Sequence, residues 1–360
     1  MLRKGKPMDI SIIVPVYNGE KYLAPLLDDI CAIQKFSLEV LLVDDGSTDR
    51  SRDLIEEYKK RDDRIQYFYK ENGGIVSARN YGLERASGEY LFFSDQDDRL
   101  DAAVLEKAVE RLKEHNADML FFSTRCFTDG GKEWACDTVT EEGLYGEREI
   151  GDIFIRKLVT RYTEKEVISY IGHLWTVVVR RQLVTENHIS FKRFIAIDDD
   201  LFFVLDCLDH AKRLLTLKET GYFWRQNPAS RTRNHSHTKD QAQKMKNYYT
   251  YRTEVLLRHN ICNTEDLERY YIGVKQEFML NLLDNEAMPG AKIRKAAALL
   301  KNYLQKEDMQ SAMRQVARCP LAKRYGMEKK LLARGHILLA IFYKKAKYAK
   351  AEIGKWIRRG

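Results

Sequence analysis

Short apolar runs alternate with segments of helical periodicity over the first 125 residues, and this alternation limits the fold more than any other feature. Strands that alternate with helices of about ten residues predict β-α-β units around a mostly parallel sheet. The fold class is therefore expected to be α/β. The apolar runs predict strands at 10–16, 38–43, 65–69, 90–93 and 118–123, and helical spacing predicts helices at 21–33, 51–60, 77–86 and 101–114.

The second half of the chain changes in character. The 360 residues suffice for roughly two domains of about 150 residues each. From residue 239 onward the pattern predicts helices throughout, and a domain boundary is expected near residue 235. Between the two halves, the pattern predicts a loop or hairpin at 128–146, a strand at 175–180 and a helix at 199–210, and turns are expected later at Met288-Pro289-Gly290 and Cys319-Pro320.

Positive charge is concentrated at the C-terminus. Residues 321–360 carry twelve Lys or Arg and two Glu, a net charge of +10, whereas the remaining 49 basic and 51 acidic residues give −2. A nucleic-acid-binding core would need this charge on its working face, so no nucleic-acid partner is expected. The apolar residues of 331–343, followed by Lys344, Lys345, Lys347 and Lys350, predict a basic amphipathic tail that lies on an anionic membrane surface. The alternative is a helix whose apolar stripe packs on the first domain.

The sequence also indicates a compartment. No apolar stretch approaches the roughly 18 residues of a membrane-spanning helix, and residues 1–16 do not resemble a signal peptide. The six cysteines are scattered without a C-x-x-C pair, which argues against a zinc cluster or a disulfide framework. A cytoplasmic protein, peripheral at the inner face of the cell membrane, is expected.

Polar residues follow three of the predicted strands, where parallel α/β sheets bind their ligands. They are Tyr17-Asn18-Gly19 after the first strand, Asp44-Asp45-Gly46-Ser47 after the second, and Ser94-Asp95-Gln96-Asp97-Asp98 after the fourth. Each has a simpler interpretation alone, as a turn, a helix cap or a solvated loop. Taken together they predict one site.

The spacing of Asp95 and Asp97 is suited to a hard divalent cation. Mg²⁺ and Mn²⁺ prefer oxygen ligands and commonly bind one or two carboxylates together with substrate phosphates. No His or Cys stands beside the cluster, which disfavours zinc, and the first turn lacks G-x-G-x-x-G, which disfavours a dinucleotide. A nucleoside diphosphate bridged by Mn²⁺ or Mg²⁺ fits these residues better.

In these motifs the chain resembles the inverting family 2 glycosyltransferases of the bacterial cell-surface glycan type. A weaker match, Asp199-Asp200-Leu201-Phe202-Phe203, resembles that family's Glu-Asp-x-x-Phe segment, with Asp199 in place of the usual Glu. The other matching segments are Ile12 to Asn18, Val43 to Asp49, Asn72-Gly73-Gly74, Ser77-Ala78-Arg79-Asn80, Asp95 to Asp98, and Tyr222 to Asn227.

The resemblance implies a GT-A nucleotide-sugar-binding fold over residues 1–235, followed by an α-helical region at 236–360. Its nucleotide-sugar part would cover about 9–125 and its acceptor part about 126–235. It implies that Asp200 is the general base, with Asp199 as the alternative, that Asp97 ligates the metal and that Asp95 faces both metal and ribose. It also implies nucleotide-binding roles for Pro15, Tyr17, Asn18, Asp44, Asn72, Arg79 and Asp95.

Three further residues are candidates for the diphosphate or the acceptor. Arg225 and Arg231 would clamp the diphosphate or are ordinary surface charges, and Trp175 would stack on an acceptor sugar or belongs to the aromatic core. For the acids at 198–200, the alternative to catalysis is a favourable interaction with a helix N-terminus.

The function expected from these observations is metal-assisted, inverting transfer of a sugar from a UDP-sugar to a glycan or lipid-linked acceptor. Two alternatives stay open. One is a catalytically inactive glycosyltransferase-like binding module at a membrane assembly. The other is a nucleotidyltransferase, which would be expected to carry a Gly-rich phosphate loop that Val14 to Gly19 lacks.

Overall fold

The computed structural model describes residues 8–160, 165–169, 172–192, 199–226, 237–259, 264–315 and 326–357. The chain divides into two compact units, residues 1–227 and 228–360. The predicted boundary near residue 235 falls at 227–236, outside the described residues, and stays a prediction.

A mixed sheet forms the framework of the first unit. In the described residues its strands are β1 (Ile10–Val16), β2 (Leu38–Asp44), β3 (Ile65–Tyr69), β4 (Tyr90–Phe93), β5 (Arg99–Leu100), β6 (Met119–Phe127), β7 (Glu133–Ala135), β8 (Gly143–Gly146), β9 (Val177–Arg180) and β10 (Arg213–Arg225). They lie in the order β3-β2-β1-β4-β9-β6-β10-β5, with β7 beside β6 and β8 beside β10.

The strands that carry the polar loops run parallel. β1 pairs in parallel with β2 and β4, β2 with β3, and β6 with β10, whereas β9 is antiparallel to both of its neighbours. This arrangement confirms the predicted α/β fold with a mostly parallel sheet. Val16 pairs with Asp44 and Ile13 pairs with Phe93, so the loops after β1, β2 and β4 leave the same edge of the sheet.

Helices cover the sheet and bury its central strands. Every residue of β1 and β2 is buried, as expected for strands covered on both faces. Each fully buried Val, Leu or Ile contributes about 1.5–3 kcal/mol to stability. The helices of this unit are α1 (Leu23–Cys31), α2 (Ser51–Arg61), α3 (Ile75–Leu83), α4 (Ala102–Glu114), α5 (Glu147–Glu149), α6 (Arg156–Thr160), α7 (Arg181–Glu186) and α8 (Asp199–His210), with a π-helical segment at Ile150–Ile155 and a 3₁₀ turn at Leu174–Thr176.

The 13-residue strand β10 is missing from the elements that the sequence predicts. Lys218 and Glu219 interrupt its apolar alternation, and its register against β6 shifts between Leu217 and Thr220. A Cβ on Gly221 would lie 2.8 Å from the Phe122 ring, so glycine permits the close approach of the two strands. This irregularity conceals the strand from a period-two pattern.

Several bounds differ from those predicted. β6 extends beyond residue 123, and β9 begins after the 3₁₀ turn that contains Trp175. Helix α3 begins and ends earlier than predicted, and strands β7 and β8 lie in the segment 128–146. The predicted turn at Cys319-Pro320 lies outside the described residues.

The second unit is helical in its described residues, as predicted. Its helices are α9 (Gln241–His259), α10 (Thr264–Ala287), α11 (Ile293–Leu304), α12 (Glu307–Arg314), α13 (Gly326–Ala333) and α14 (Ile337–Ile357). The predicted turn at Met288-Pro289-Gly290 separates α10 from α11. Among the described residues, no helix has both the length and the apolar character to cross a lipid bilayer.

Candidate nucleotide-sugar site

Hydrogen bonds join the loops that follow β1, β2 and β4. The Tyr17 N–H donates to Gln96 Oε1 at 2.9 Å, and Gln96 Nε2 donates to the Tyr17 carbonyl oxygen at 2.9 Å. The Asn18 N–H donates to Ser47 Oγ at 3.0 Å, and Asn18 Oδ1 accepts from the Thr48 N–H at 2.9 Å. The residues predicted from the three loops are therefore brought together in one network.

The predicted base-binding residues lie at the ends of β1 and β2. Pro15 is buried in β1, whereas the Tyr17 side chain is 50% exposed. The buried Asp44 carboxylate accepts from the Ser47 N–H and the Tyr67 hydroxyl, both at 2.8 Å. A carboxylate offers about four lone-pair positions, so these two bonds fix Asp44 without exhausting its acceptor capacity.

Asp45 shapes the loop that contains Asn72. Its Oδ1 accepts from Lys70 Nζ at 2.5 Å and from the Gly73 N–H at 2.9 Å, and its Oδ2 accepts from the Gly74 N–H at 2.7 Å. The side chain of Asn72 is exposed directly beside these bonds. Asp45, for which the sequence predicted no role, therefore positions the Asn72 loop.

Asp98 anchors the acidic loop to β10. Its carboxylate is buried and accepts from the Arg225 N–H at 2.7 Å and from the Tyr222 hydroxyl at 2.8 Å. The Tyr222 oxygen in turn accepts from the Asp95 N–H at 3.0 Å. Burial, followed by the charges of Asp95 and Asp97, raises the pKa of Asp98 well above its usual value.

Asp97 lies beside Asp95 in a site that disfavours its negative charge. Burial first, and then the charge of Asp95, raises the pKa of Asp97 to about 6. Two neighbouring carboxylates in partial burial are a donor set that a divalent cation would stabilise. In the described part of the chain, no group of three or more His, Cys, Asp or Glu side chains has the arrangement of a metal site. Asp95 and Asp97 therefore fit a cation that is held by two carboxylates, with substrate phosphates as further ligands.

Arg79 joins the acidic loop to helix α8. The Arg79 side chain is buried, its Nη2 donates to Asp95 Oδ1 at 3.1 Å, and its Nη1 donates to Asp200 Oδ1. One guanidinium thus binds both the predicted ribose and metal residue and the predicted base. The ion pair places the positive charge of Arg79 directly against the Asp200 carboxylate.

Packing of aromatic rings places the start of helix α8 beside Arg79 and the loop that contains Asp95. Phe203, one turn after Asp200, is buried and lies 5.4 Å from Phe93 at the end of β4, measured between ring centroids. The Phe203 ring also stacks on Phe191 at 4.3 Å. Because residues three apart share one side of a helix, the Phe203 contacts direct Asp200 toward the Asp95 loop.

Two hydrogen bonds hold the segment that contains Phe191. The Asn80 amide donates to the Phe191 carbonyl oxygen and accepts from the Phe191 N–H, both at 2.9 Å. Helix α3 thus supplies Arg79 to the site and Asn80 to the segment that supports α8. The side chain of Asp199 is outside the described part of the structure.

The remaining candidates occupy the β10 side of the site. Arg225 donates through Nε to the Asp97 carbonyl oxygen at 2.5 Å and forms an ion pair with Asp129. Trp175 is buried and stacks on His173 at 4.5 Å, within an aromatic group that includes Trp224. This burial agrees with the aromatic-core interpretation of Trp175. Arg231 lies outside the described residues.

Sequence reasoning assigned no role to several residues that position the site. These residues hold loops or strands together and do not occupy a ligand-binding position predicted from the motifs. They are Asp45, Asn80, Gln96 and Tyr222. The available signal was that each lies inside or next to a matching motif. Their partners are distant in sequence, so only the fold reveals what they do.

The joined loops at the strand ends fit the nucleotide-sugar-binding class that the sequence predicts, and comparison with known families agrees. Residues 11–176 match the family model described as Glycosyl transferase family 2. This part of the chain therefore belongs to the family 2 glycosyltransferases, with a GT-A fold.

Curated relatives are bacterial glycosyltransferases. The chain is 29% identical over 223 residues to the glycosyltransferase EpsJ of Bacillus subtilis, covering 62% of each protein. It is 28% identical over 222 residues to TarS of Staphylococcus aureus, a poly(ribitol-phosphate) beta-N-acetylglucosaminyltransferase, covering 60% of this chain and 35% of TarS. The chain thus spans less than two thirds of either relative.

Solved structures show the same fold. The structure is similar to that of S. aureus TarS 1–349, with a TM-score of 0.55 and 20% identity over 96% of this chain and 92% of that one. The complex of that fragment with UDP-GlcNAc has a TM-score of 0.57 at 19% identity, with the same coverage.

Proposed function

We propose that this chain is an inverting glycosyltransferase that moves a sugar from a UDP-sugar to a bacterial cell-surface glycan or its lipid-linked precursor. The observation that carries the proposal is the ion-paired group in which Arg79 binds Asp95 and Asp200. It sets a base candidate beside residues suited to a nucleoside diphosphate. The complexes of TarS with UDP and UDP-GlcNAc support the choice of donor.

The donor nucleotide would bind across the joined loops. Tyr17, half exposed at the edge of the sheet, offers a ring on which the base can stack. Asp44 would accept the imide N–H of uracil, because its carboxylate is fixed but retains acceptor capacity. Hydrogen bonds between Gln96 and Tyr17 would transmit the position of the base to the acidic loop.

Asp97 and Asp95 would hold Mn²⁺ or Mg²⁺, which would neutralise charge that develops on the departing diphosphate. Arg79 forms an ion pair with Asp95 and adds positive charge near the same group. Because burial disfavours the charge on Asp97, this carboxylate has more to gain from a cation than an exposed one.

Asp200 would act as the base in a single displacement. The acceptor hydroxyl oxygen attacks the anomeric carbon, the bond from that carbon to the diphosphate oxygen breaks, and the electron pair leaves with UDP. The hydroxyl proton passes to Asp200, and the configuration at the anomeric carbon inverts. A positioned base of this kind contributes about 10²–10⁴-fold to the rate.

The test is a screen of UDP-sugars for donor hydrolysis and for transfer to lipid-linked glycans, with and without Mn²⁺. Release of UDP that requires the metal and is abolished in Asp97→Asn supports the proposal. Full turnover in excess chelator would show that the reaction needs no metal. Nucleotide binding without turnover for every donor would favour an inactive binding module, and release of pyrophosphate from nucleoside triphosphates would favour a nucleotidyltransferase.

A further inference from the structure

The second unit exposes three large apolar side chains at the start of α14. Leu338, Leu339 and Phe342 are 52%, 58% and 53% exposed. Phe342 lies four positions after Leu338 and three after Leu339, so its side chain is on the same side of the helix as both. The opposite side of the same turns is packed, since Ala340 and Ile341 are fully buried. Helix α14 therefore has one face in the protein interior and a second apolar face in solvent.

Helix α11 extends this apolar face. Ala297, Ala298 and Lys301 line an open cavity of about 420 Å³ together with Leu338 and Leu339. Arg294 and Lys301 are exposed and lie seven positions apart, so they stand on the same side of α11. We name the group Arg294, Ala298, Lys301, Arg334, Leu338, Leu339 and Phe342 the α11–α14 surface.

The helical segments that form this surface carry charge of one sign. Neither α11 nor residues 337–350 contain an acidic residue, and Arg334 is exposed in the turn before α14. Two lysines that the sequence assigned to the membrane-facing charge are directed elsewhere. Lys344 Nζ lies 2.6 Å from Asp284 Oδ1, and Lys347 Nζ lies 2.7 Å from Glu328 Oε1. The basic character of the surface therefore comes from α11 and the preceding turn as well as from the tail.

We propose that the α11–α14 surface docks on an anionic lipid membrane. Leu338, Leu339 and Phe342 would enter the interface between headgroups and acyl chains, and Arg294, Arg334 and Lys301 would bind lipid phosphates. Apolar insertion combined with basic residues is the combination that anionic bilayers bind. Each basic residue near such a leaflet raises the partition coefficient about five-fold. The choice of a bacterial membrane as the partner rests on the proposed function, but the surface itself requires no donor chemistry.

The test is flotation of the full chain with phosphatidylglycerol vesicles and with phosphatidylcholine vesicles. We expect binding to the anionic vesicles, release at high salt, and little binding to the neutral ones. The double variant L338E/F342E should lower the anionic partition coefficient at least about ten-fold. Leu257→Glu is the matched control, because Leu257 is 53% exposed on α9 of the same unit and lies outside the surface.

A second variant separates charge from apolar insertion. R294E/K301E should weaken binding to anionic vesicles and remove most of its salt dependence. Unchanged flotation of both double variants, or equal binding to both lipids, would overturn the proposal. So would a dimer in light scattering that L338E/F342E dissociates, because the surface would then join two copies. An assay of UDP release with a water-soluble acceptor and without vesicles tests the proposed sugar transfer separately from membrane docking.

Discussion

The guanidinium of Arg79 lies between the carboxylates of Asp95 and Asp200, which stand 16 and 121 positions away in the chain. One side chain on α3 therefore compensates the charge of the acidic loop and of the base candidate together. Because the Arg79 side chain is buried, this arrangement depends on the planar shape of the guanidinium as well as on its charge.

Arg79→Lys keeps the charge but cannot present two planar donors to two carboxylates. We expect kcat for sugar transfer to fall about 100-fold, a size typical of lost charge stabilisation at a catalytic centre. Arg79→Ala should in addition destabilise the fold by about 3 kcal/mol, because a buried ion pair loses one partner. Steady-state kinetics and denaturant unfolding measure the two effects. Wild-type kcat in the lysine variant would contradict the assignment.

Asp200→Asn retains shape and removes the proton acceptor. Transfer should fall about 10²-fold or more while UDP binding, measured by calorimetry, changes little. Asp206→Asn is the matched control, since Asp206 is on the same helix and also forms an ion pair, with Lys192 at 2.6 Å. If Asp199→Asn is inactive and Asp200→Asn transfers normally, the base is the neighbouring residue.

Metal-dependent UDP binding should weaken as pH falls below about 6. The pKa of Asp97 is raised to about 6, mainly by burial, and a protonated carboxyl is a poor cation ligand. Titration of Mn²⁺-dependent UDP affinity against pH measures the effect. In Asp97→Asn this pH dependence should disappear, whereas Asp53→Asn, at an exposed position of α2, should retain it. A wild-type profile that is flat between pH 5 and 8 would exclude Asp97 as the ligand.

The Asp97 carboxyl also makes the free energy of unfolding depend on pH. Between about pH 4 and 6 the folded chain retains the Asp97 proton that the unfolded chain has lost, because the folded pKa is the higher one. The contribution of Asp97 to the free energy of unfolding should therefore fall as pH rises through this window and be level above it. Comparison of unfolding curves for wild type and Asp97→Asn isolates this contribution. A contribution that instead rises with pH would mean that the folded pKa is lowered.

Gln96→Glu replaces an amide that donates and accepts by a group that only accepts. One of the two bonds to Tyr17 is lost, and a fourth acidic side chain enters the loop that already contains Asp95, Asp97 and Asp98. The KM for the donor should rise about 5- to 30-fold, the equivalent of roughly 1–2 kcal/mol, with a smaller rise in Gln96→Ala. Donor kinetics at saturating metal measure this, and identical KM values for both variants and wild type would show that the link has no part in binding.

Local pattern predicted most of the parallel half of the fold. The strands β1, β2 and β4 are short apolar runs bounded by turn residues, and their burial on both faces follows from that composition. Because parallel strands end at one edge, the same pattern placed Tyr17, Asp44 and Asp95 together. The site roles of these residues remain predictions that the experiments above test.

The sequence by itself determined the α/β alternation, the acidic loops at the strand ends and the helical character of residues after 239. The tertiary structure alone decided which residues hold these parts together. Strand β10 brings Tyr222 and Arg225 to the acidic loop although its alternation is interrupted, and Lys344 and Lys347 form ion pairs with Asp284 and Glu328. The physical reason is that period and composition act over a few neighbouring residues. Pairing, by contrast, depends on which distant groups the folded chain brings within hydrogen-bond distance.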